Sequence, residues 1–168
     1  VSGQGKLFYD DGGLYDGEWL SNKFNGYGTL KTNGYVYRGQ FLNDVVDGIG
    51  VMELSSGSKY DGQFKKGLFH GTGTYLWKNG NKYLGQFENG KRTGEGKFIF
   101  ANGASYSGTF KNSKYDGYGV YTWKDGTTYT GEHKNGLANG FGTRKWSLNS
   151  KWSGDKYVGN FKDDKRHG

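Results

Sequence analysis

The chain has 168 residues and a formal charge of +7, and 33 of its residues are glycine, about a fifth of the chain against a usual ~7%. Aromatic residues make up 18%, with 14 Tyr, 11 Phe and 5 Trp, while Pro and Cys are absent. This composition excludes an aliphatic-core globule, a disulfide framework, thiolate chemistry and any Cys-based zinc site, and the abundance of rings argues against disorder.

In chain order, the first marker is a Gly-x-Gly pair, Gly3/Gly5. Next comes Tyr15-x-Gly17-x-Trp19, then Gly26/Gly28 and the turn dipeptide Asn33-Gly34. The same series returns as Tyr37/Gly39/Phe41, Gly48/Gly50 and Ser56-Gly57, and as Tyr60/Gly62/Phe64, Gly71/Gly73 and Asn79-Gly80. It continues through Tyr83/Gly85/Phe87, Gly94/Gly96 and Asn102-Gly103, then Tyr106/Gly108/Phe110, Gly117/Gly119 and Asp125-Gly126. Tyr129/Gly131/His133 with Gly140/Gly142 and Tyr157/Gly159/Phe161 with Gly168 complete it. Successive tyrosines lie 22, 23, 23, 23, 23 and 28 residues apart. A fixed period of this length signals a repeat architecture. We read residues 1–168 as one array: a partial repeat 1–14, repeats starting near 15, 37, 60, 83, 106 and 129, and a partial repeat 157–168. The array starts and stops in mid-repeat and is read as a piece of a longer one.

Each unit predicts a strand, a six-residue loop, a second strand and a hairpin turn, because Asn-Gly and Asp-Gly are hairpin signals. Side chains alternate along a strand, so Tyr83, Gly85 and Phe87 share a face, as do Gly71, Gly73, Tyr75 and Trp77. The other face is mixed and more polar, and no helical period appears. The predicted fold class is all-β: an elongated, single-layer, twisted antiparallel sheet of tandem β-hairpins with about 14 strands, each ~4.8 Å from the next. An interior glycine costs ~0.5–1 kcal/mol relative to Ala. The expected compensation is a ring lying flat on bare backbone, where about 100 Å² of burial returns roughly 2.5 kcal/mol. A lone unit should not fold; neighbours must stack to hold it.

The pattern resembles the MORN (membrane occupation and recognition nexus) repeat, with its Tyr-x-Gly-x-Phe/Trp, Gly-x-Gly and Asp/Asn-Gly turn. Tyr83 through Gly103 follows that consensus almost position for position, and the resemblance covers nearly the whole chain. It implies a sheet of hairpins acting as a scaffold in cytoskeletal, ciliary or cell-cortex assemblies, in some members as a dimer or as a non-catalytic arm of an enzyme. Phospholipid binding is a further implied role. The chain departs from the consensus at His133, in a first repeat one residue short, in a longer segment between Gly140 and Gly154, and in apolar residues at loop positions usually basic, such as Phe24, Val46 and Phe69.

No catalytic, metal or cofactor constellation stands outside the repeat. His70 and His167 occupy one repeat slot, His133 replaces a packed ring, and the Gly-x-Gly pairs lack the third glycine and helix of a dinucleotide loop. The chain is therefore read as a non-enzyme. Three surfaces could hold a partner. The first is an aromatic groove for a peptide or helix, from Tyr75, Trp77, Phe98, Phe100, Tyr121 and Trp123. The second is an apolar row on one long edge, from Phe24, Val46, Phe69 and Tyr115. The third is the insertion with Arg144, Lys145, Trp146, Lys151 and Trp152, suited to an anionic membrane. Residues 1–84 hold 9 Lys/Arg and 8 Asp/Glu, residues 85–168 hold 14 and 8, so the C-terminal half carries the positive charge. The open strand edges could pair two copies into a homodimer. Nucleic acid is disfavoured, because the rings sit where the fold needs them. No apolar run approaches the ~18 residues of a spanning helix, and the expected location is cytoplasmic, associated with cytoskeleton or membrane.

Overall fold

The computed structural model describes residues 1–168. Fifteen antiparallel strands follow one another in chain order in one open sheet, with no helix. They are β1 (Gly3–Phe8), β2 (Leu14–Leu20), β3 (Lys23–Lys31), β4 (Tyr35–Leu42), β5 (Val45–Leu54), β6 (Lys59–Lys65), β7 (Leu68–Leu76) and β8 (Lys82–Glu88). Then come β9 (Lys91–Ile99), β10 (Ser105–Lys111), β11 (Lys114–Thr122), β12 (Thr128–Lys134), β13 (Leu137–Lys145), β14 (Lys156–Lys162) and β15 (Lys165–His167). Two compact units divide them: an N-terminal unit of Val1–Asn79 with Phe87–Gly90, and a C-terminal unit of Gly80–Gln86 with Lys91–Gly168.

The expected six-residue loop after each Tyr strand is absent. The strands run on instead to a two-residue turn, at Ser21-Asn22, Asn43-Asp44, Lys66-Gly67, Asn89-Gly90, Asn112-Ser113, Asn135-Gly136 and Asp163-Asp164, with both residues at positive φ. That is the type I′ geometry that matches strand twist. The three residues after Asp163-Asp164 pair as well, which gives one strand more than expected. Each turn bonds back to the preceding repeat: Gly67 N–H donates to Val46 O at 2.8 Å in the N-terminal unit, and Gly136 N–H to Tyr115 O at 2.8 Å in the C-terminal unit. The Ser/Asn/Asp-Gly dipeptides close the other connection of each hairpin pair, where Gly103 donates to Phe100 O at 3.0 Å with φ 92°.

Register explains the glycines. In the N-terminal unit Gly5, Gly17, Gly28, Gly39, Gly50, Gly62 and Gly73 face one another in an unbroken row across seven strands. In the C-terminal unit Gly96, Gly108, Gly119, Gly131, Gly142 and Gly159 do the same. The tyrosine of each repeat lies over this row. Its hydroxyl donates to the backbone carbonyl three residues on: Tyr15 to Glu18 at 2.7 Å, Tyr60 to Gln63 at 2.8 Å, Tyr106 to Thr109 at 3.0 Å and Tyr129 to Glu132 at 2.9 Å. Burial pushes these four phenols up to about 12, so they stay neutral at ordinary pH.

Each repeat tyrosine from Tyr15 to Tyr129 also joins two repeats. Tyr37 meets its own Phe41 edge-on at 5.1 Å and the next repeat's Phe64 at 5.0 Å. Tyr83 meets the next repeat's Phe110 at 5.0 Å. Edge-to-face pairs of this kind add about 0.5–1.5 kcal/mol beyond area burial. The first six repeat tyrosines, Tyr15 through Tyr129, are almost wholly buried.

His133 fills the phenylalanine slot, edge-on to Tyr106 at 5.0 Å and Tyr129 at 5.1 Å, with Nδ1 3.1 Å from Gly131 O. Burial lowers its proton affinity below the usual imidazole value. The unfolded chain therefore takes up this proton at higher pH than the folded one. The stability held by neutral His133 is present above about pH 6.5 and is lost as pH falls through the lowered folded value. His133→Phe should gain stability relative to the parent as pH drops from 7.5 to 5. Urea midpoints at the two pH values check this; parallel midpoints for the two proteins would refute it.

Candidate functional site: an aromatic groove

On the tyrosine face of the C-terminal unit, the Gly-x-Gly strands continue past the glycine row into half-buried rings. Tyr121 of β11 pairs with buried Tyr106, and Arg144 of β13 pairs with buried Tyr129. Two residues further along lie Trp123 and Trp146, on the same face because side chains alternate. The rings form a tilted series: Phe100 to Tyr121 at 6.0 Å and Tyr121 to Trp123 at 4.7 Å, with the Arg144 guanidinium 4.5 Å over Trp123. They border a groove of about 450 Å³ whose remaining walls include Tyr115, Ala138 and Asp164. Asp164 takes the Ala138 N–H at 2.7 Å. Burial, with Asp164 nearby, raises the Tyr121 phenol. The groove therefore offers apolar rings, neutral hydroxyls, the Arg144 guanidinium and the Asp164 carboxylate, a lining suited to binding.

The structure divides the predicted aromatic residues. Phe100, Tyr121 and Trp123 come together in the groove, half-buried. Tyr75 and Trp77, 4.5 Å apart, belong to the N-terminal unit. Phe98 is 7% exposed with Arg92 5.0 Å over its ring, and so serves as core instead of a partner surface.

The predicted apolar edge row is a correction. Phe24 and Val46 are buried. Phe24 stacks on Tyr15 at 3.6 Å, Phe69 on Tyr60 at 4.0 Å and Tyr115 on Tyr106 at 3.9 Å. The type I′ turn folds this position back over the tyrosine of its own hairpin, so these residues roof the core and form no exposed edge. Arg92 holds the same slot, 5.6 Å over Tyr83, with its guanidinium donating to Ser113 O at 2.7 Å.

In the insertion, Arg144 and Trp146 are half-buried, with the guanidinium 5.4 Å over Trp146. Lys145, Lys151 and Trp152 are exposed, Lys151 lying over Trp152 at 5.6 Å. Two features escaped the sequence reading. Asp164 reaches the groove from the last turn. The opposite face carries exposed apolar residues at the middle of Gly-x-Gly: Tyr27 and Ile49 in one unit, Tyr118 and Phe141 in the other. Their repeat position is visible in the sequence; the mixed residues around them hid it.

A family model described as the MORN repeat matches residues 15–34, 37–59, 60–82, 83–105, 106–128, 129–147 and 157–168. No curated protein matches the chain. Among solved structures, it is similar to the TCP domain of SAS-4 from Drosophila melanogaster, in complex with a proline-rich motif of Ana2. That likeness has 11% identity and a TM-score of 0.44 over 94% of this chain and 90% of that one. It is also similar to a catalytically inactive virginiamycin B lyase from Staphylococcus aureus, at 13% identity and a TM-score of 0.22 over 95% of this chain and 56% of that one. At such scores neither carries a function to this chain.

Proposed function

We propose that this chain, which belongs to the MORN repeat family, is a non-catalytic scaffold that holds a peptide or helix of a protein partner in the ring groove of its C-terminal unit. Cytoskeletal, ciliary or cell-cortex assembly is the setting the family suggests. The supporting observation is the groove itself: Tyr121 and Trp123 stay half-covered beside the open volume, while the repeat tyrosines under them are sealed. Trp and Tyr in such grooves supply large contact area at low entropy cost and dominate binding energy.

The test is a 16-residue random peptide display library panned on the full chain, followed by affinity measurement with the best synthetic peptide. Trp123→Ala should weaken binding roughly tenfold or more while the protein stays folded, whereas Leu148→Ala, at a 78% exposed position outside the groove, leaves binding unchanged. Selected peptides indifferent to both Trp123→Ala and Tyr121→Ala would remove the groove from consideration.

A second reading has its own observation. Leu148 is 78% and Trp152 53% exposed in the 146–155 connection, beside Lys151. An apolar tip with cations suits an anionic membrane surface. Co-sedimentation with phosphatidylserine vesicles should then occur at low salt, fall at high salt and be lost in Trp152→Ala. Absence of low-salt sedimentation would dismiss it.

A further inference from the structure

Next to the ring groove, a second cavity of about 640 Å³ opens under the insertion. Its charged lining is unbalanced: Arg144, Lys156, Lys165 and Arg166 against Asp155 and Asp164. The two ion pairs of the chain, Lys6–Asp16 and Arg38–Glu53, lie elsewhere. None of the four cations makes an ion pair, although Arg144, after the hydrogen bonds from Thr127, helps hold the Asp125 carboxyl below the usual range. Asp164 is in part committed already, to the Ala138 N–H.

The two arginines are held by rings instead of by acids. Arg144 lies between Trp123 and Trp146, and Arg166 lies 5.8 Å over Trp146 and 5.6 Å over Tyr157. The buried Nε of Arg144 has no hydrogen-bond partner. The rings hold the guanidinium groups without taking up their N–H donors, which remain for a ligand. A buried donor left unsatisfied costs about 1–3 kcal/mol, and a planar guanidinium pre-set in this way matches a carboxylate through two parallel bonds.

Arg144 and Asp164 line both this cavity and the ring groove, so an occupant of one reaches the other. We infer that the partner is an acidic segment of a protein, with an aromatic or aliphatic anchor in the groove beside Trp123 and a neighbouring Asp or Glu carboxylate on Arg144 and Arg166. The inference rests on the groove reading and adds the partner's charge to it. A protein segment is favoured over a lipid headgroup because the cations are continuous with an apolar groove and Arg144 is recessed between two rings. Lys151, at the exposed tip, lies over Trp152, which also borders this cavity, but Lys151 itself is not part of its lining.

The library selection on the full chain, extended, decides the matter. Selected peptides should carry Asp or Glu within three or so residues of a Trp, Phe or Leu anchor at several times the input frequency. Changing that acid to its amide in the best synthetic peptide should cost roughly tenfold in affinity. Arg166→Gln, an exposed position with no structural hydrogen bond, should cost the acidic peptide a similar factor and leave the amide peptide unaffected. Arg144→Lys keeps the charge but loses the fork, and should also weaken the acidic peptide. Trp123-dependent binders without acid enrichment would overturn this inference and leave the groove standing. Binding to phosphatidylserine vesicles that Arg166→Gln abolishes, with no acidic peptide recovered, would assign the site to lipid and overturn it too. The absence of any Trp123-dependent binder would end both readings.

Discussion

Gly119→Ala should destabilise the protein by about 2–4 kcal/mol, whereas Gly34→Ala should leave it unchanged or make it slightly more stable. A Cβ built on Gly119 has Tyr106 as all three of its nearest neighbours, with Cζ at 2.6 Å and Cε2 at 2.7 Å, closer than real Cβ atoms come. Tyr106 cannot move away freely. Tyr115 stacks on it, Phe110 and His133 bracket it edge-on, and its hydroxyl is held by Thr109 O. Overpacking of a fixed core costs about 1–3 kcal/mol, and displacing the hydroxyl adds a lost hydrogen bond of about 1 kcal/mol. Gly34 sits in a turn with a single neighbour, Thr32 Oγ1 at 3.9 Å. Removing a glycine from such a site gains about 0.4–1 kcal/mol through the unfolded chain. Urea unfolding of the two variants checks the contrast; equal costs at the two positions would contradict it.

Tyr106→Ala should cost about 3–5 kcal/mol, the range for deleting a buried ring, and Tyr106→Phe only about 1 kcal/mol. Three rings lose their neighbour when Tyr106 is truncated, Phe110, Tyr115 and His133, and Tyr115 in turn supports Tyr121 of the groove. Phe keeps all the ring contacts and gives up only the bond to Thr109 O. A small effect of Tyr106→Ala by urea unfolding would show that the ring is not what joins these repeats. A Tyr106→Phe loss as large as the alanine loss would shift the weight from the ring to the hydroxyl.

The architecture was legible because its cause is periodic. Tyr-x-Gly-x-Phe and Gly-x-Gly recur in register, and each mark has one physical job, a ring and the bare backbone under it. Connections were read less well. Asn89-Gly90 and Asn135-Gly136 are type I′ signals as strong as Asn102-Gly103, yet the other turns of that class are Ser21-Asn22, Asn43-Asp44, Lys66-Gly67, Asn112-Ser113 and Asp163-Asp164, which share geometry without sharing a dipeptide. Placing a loop there put Phe24, Val46, Phe69 and Tyr115 on an edge, when the turn folds them onto their own tyrosines. Of the candidate site, Phe100, Tyr121 and Trp123 could be assigned to one face from alternation alone. Whether a ring on that face is roofed depends on the residue one hairpin away. Phe98 and Phe100 differ by two positions and by a covering Arg92 that no local pattern announces. Asp164 and Arg144 are far apart in sequence, and only the pairing of β13 with β14 and the turn into β15 brings their charges to one groove.

A double-mutant cycle on Tyr106 and Gly119 bears most directly on the claim that flat rings over bare glycine hold the repeats together. In the Tyr106→Ala background, adding Gly119→Ala should cost nothing or stabilise slightly, since the intruding methyl then meets open space and Ala outperforms Gly in a strand. The coupling between the two sites should therefore be at least about 2 kcal/mol. Additive losses, with Gly119→Ala as harmful without the ring as with it, would mean that the glycine row answers to something other than the tyrosines above it.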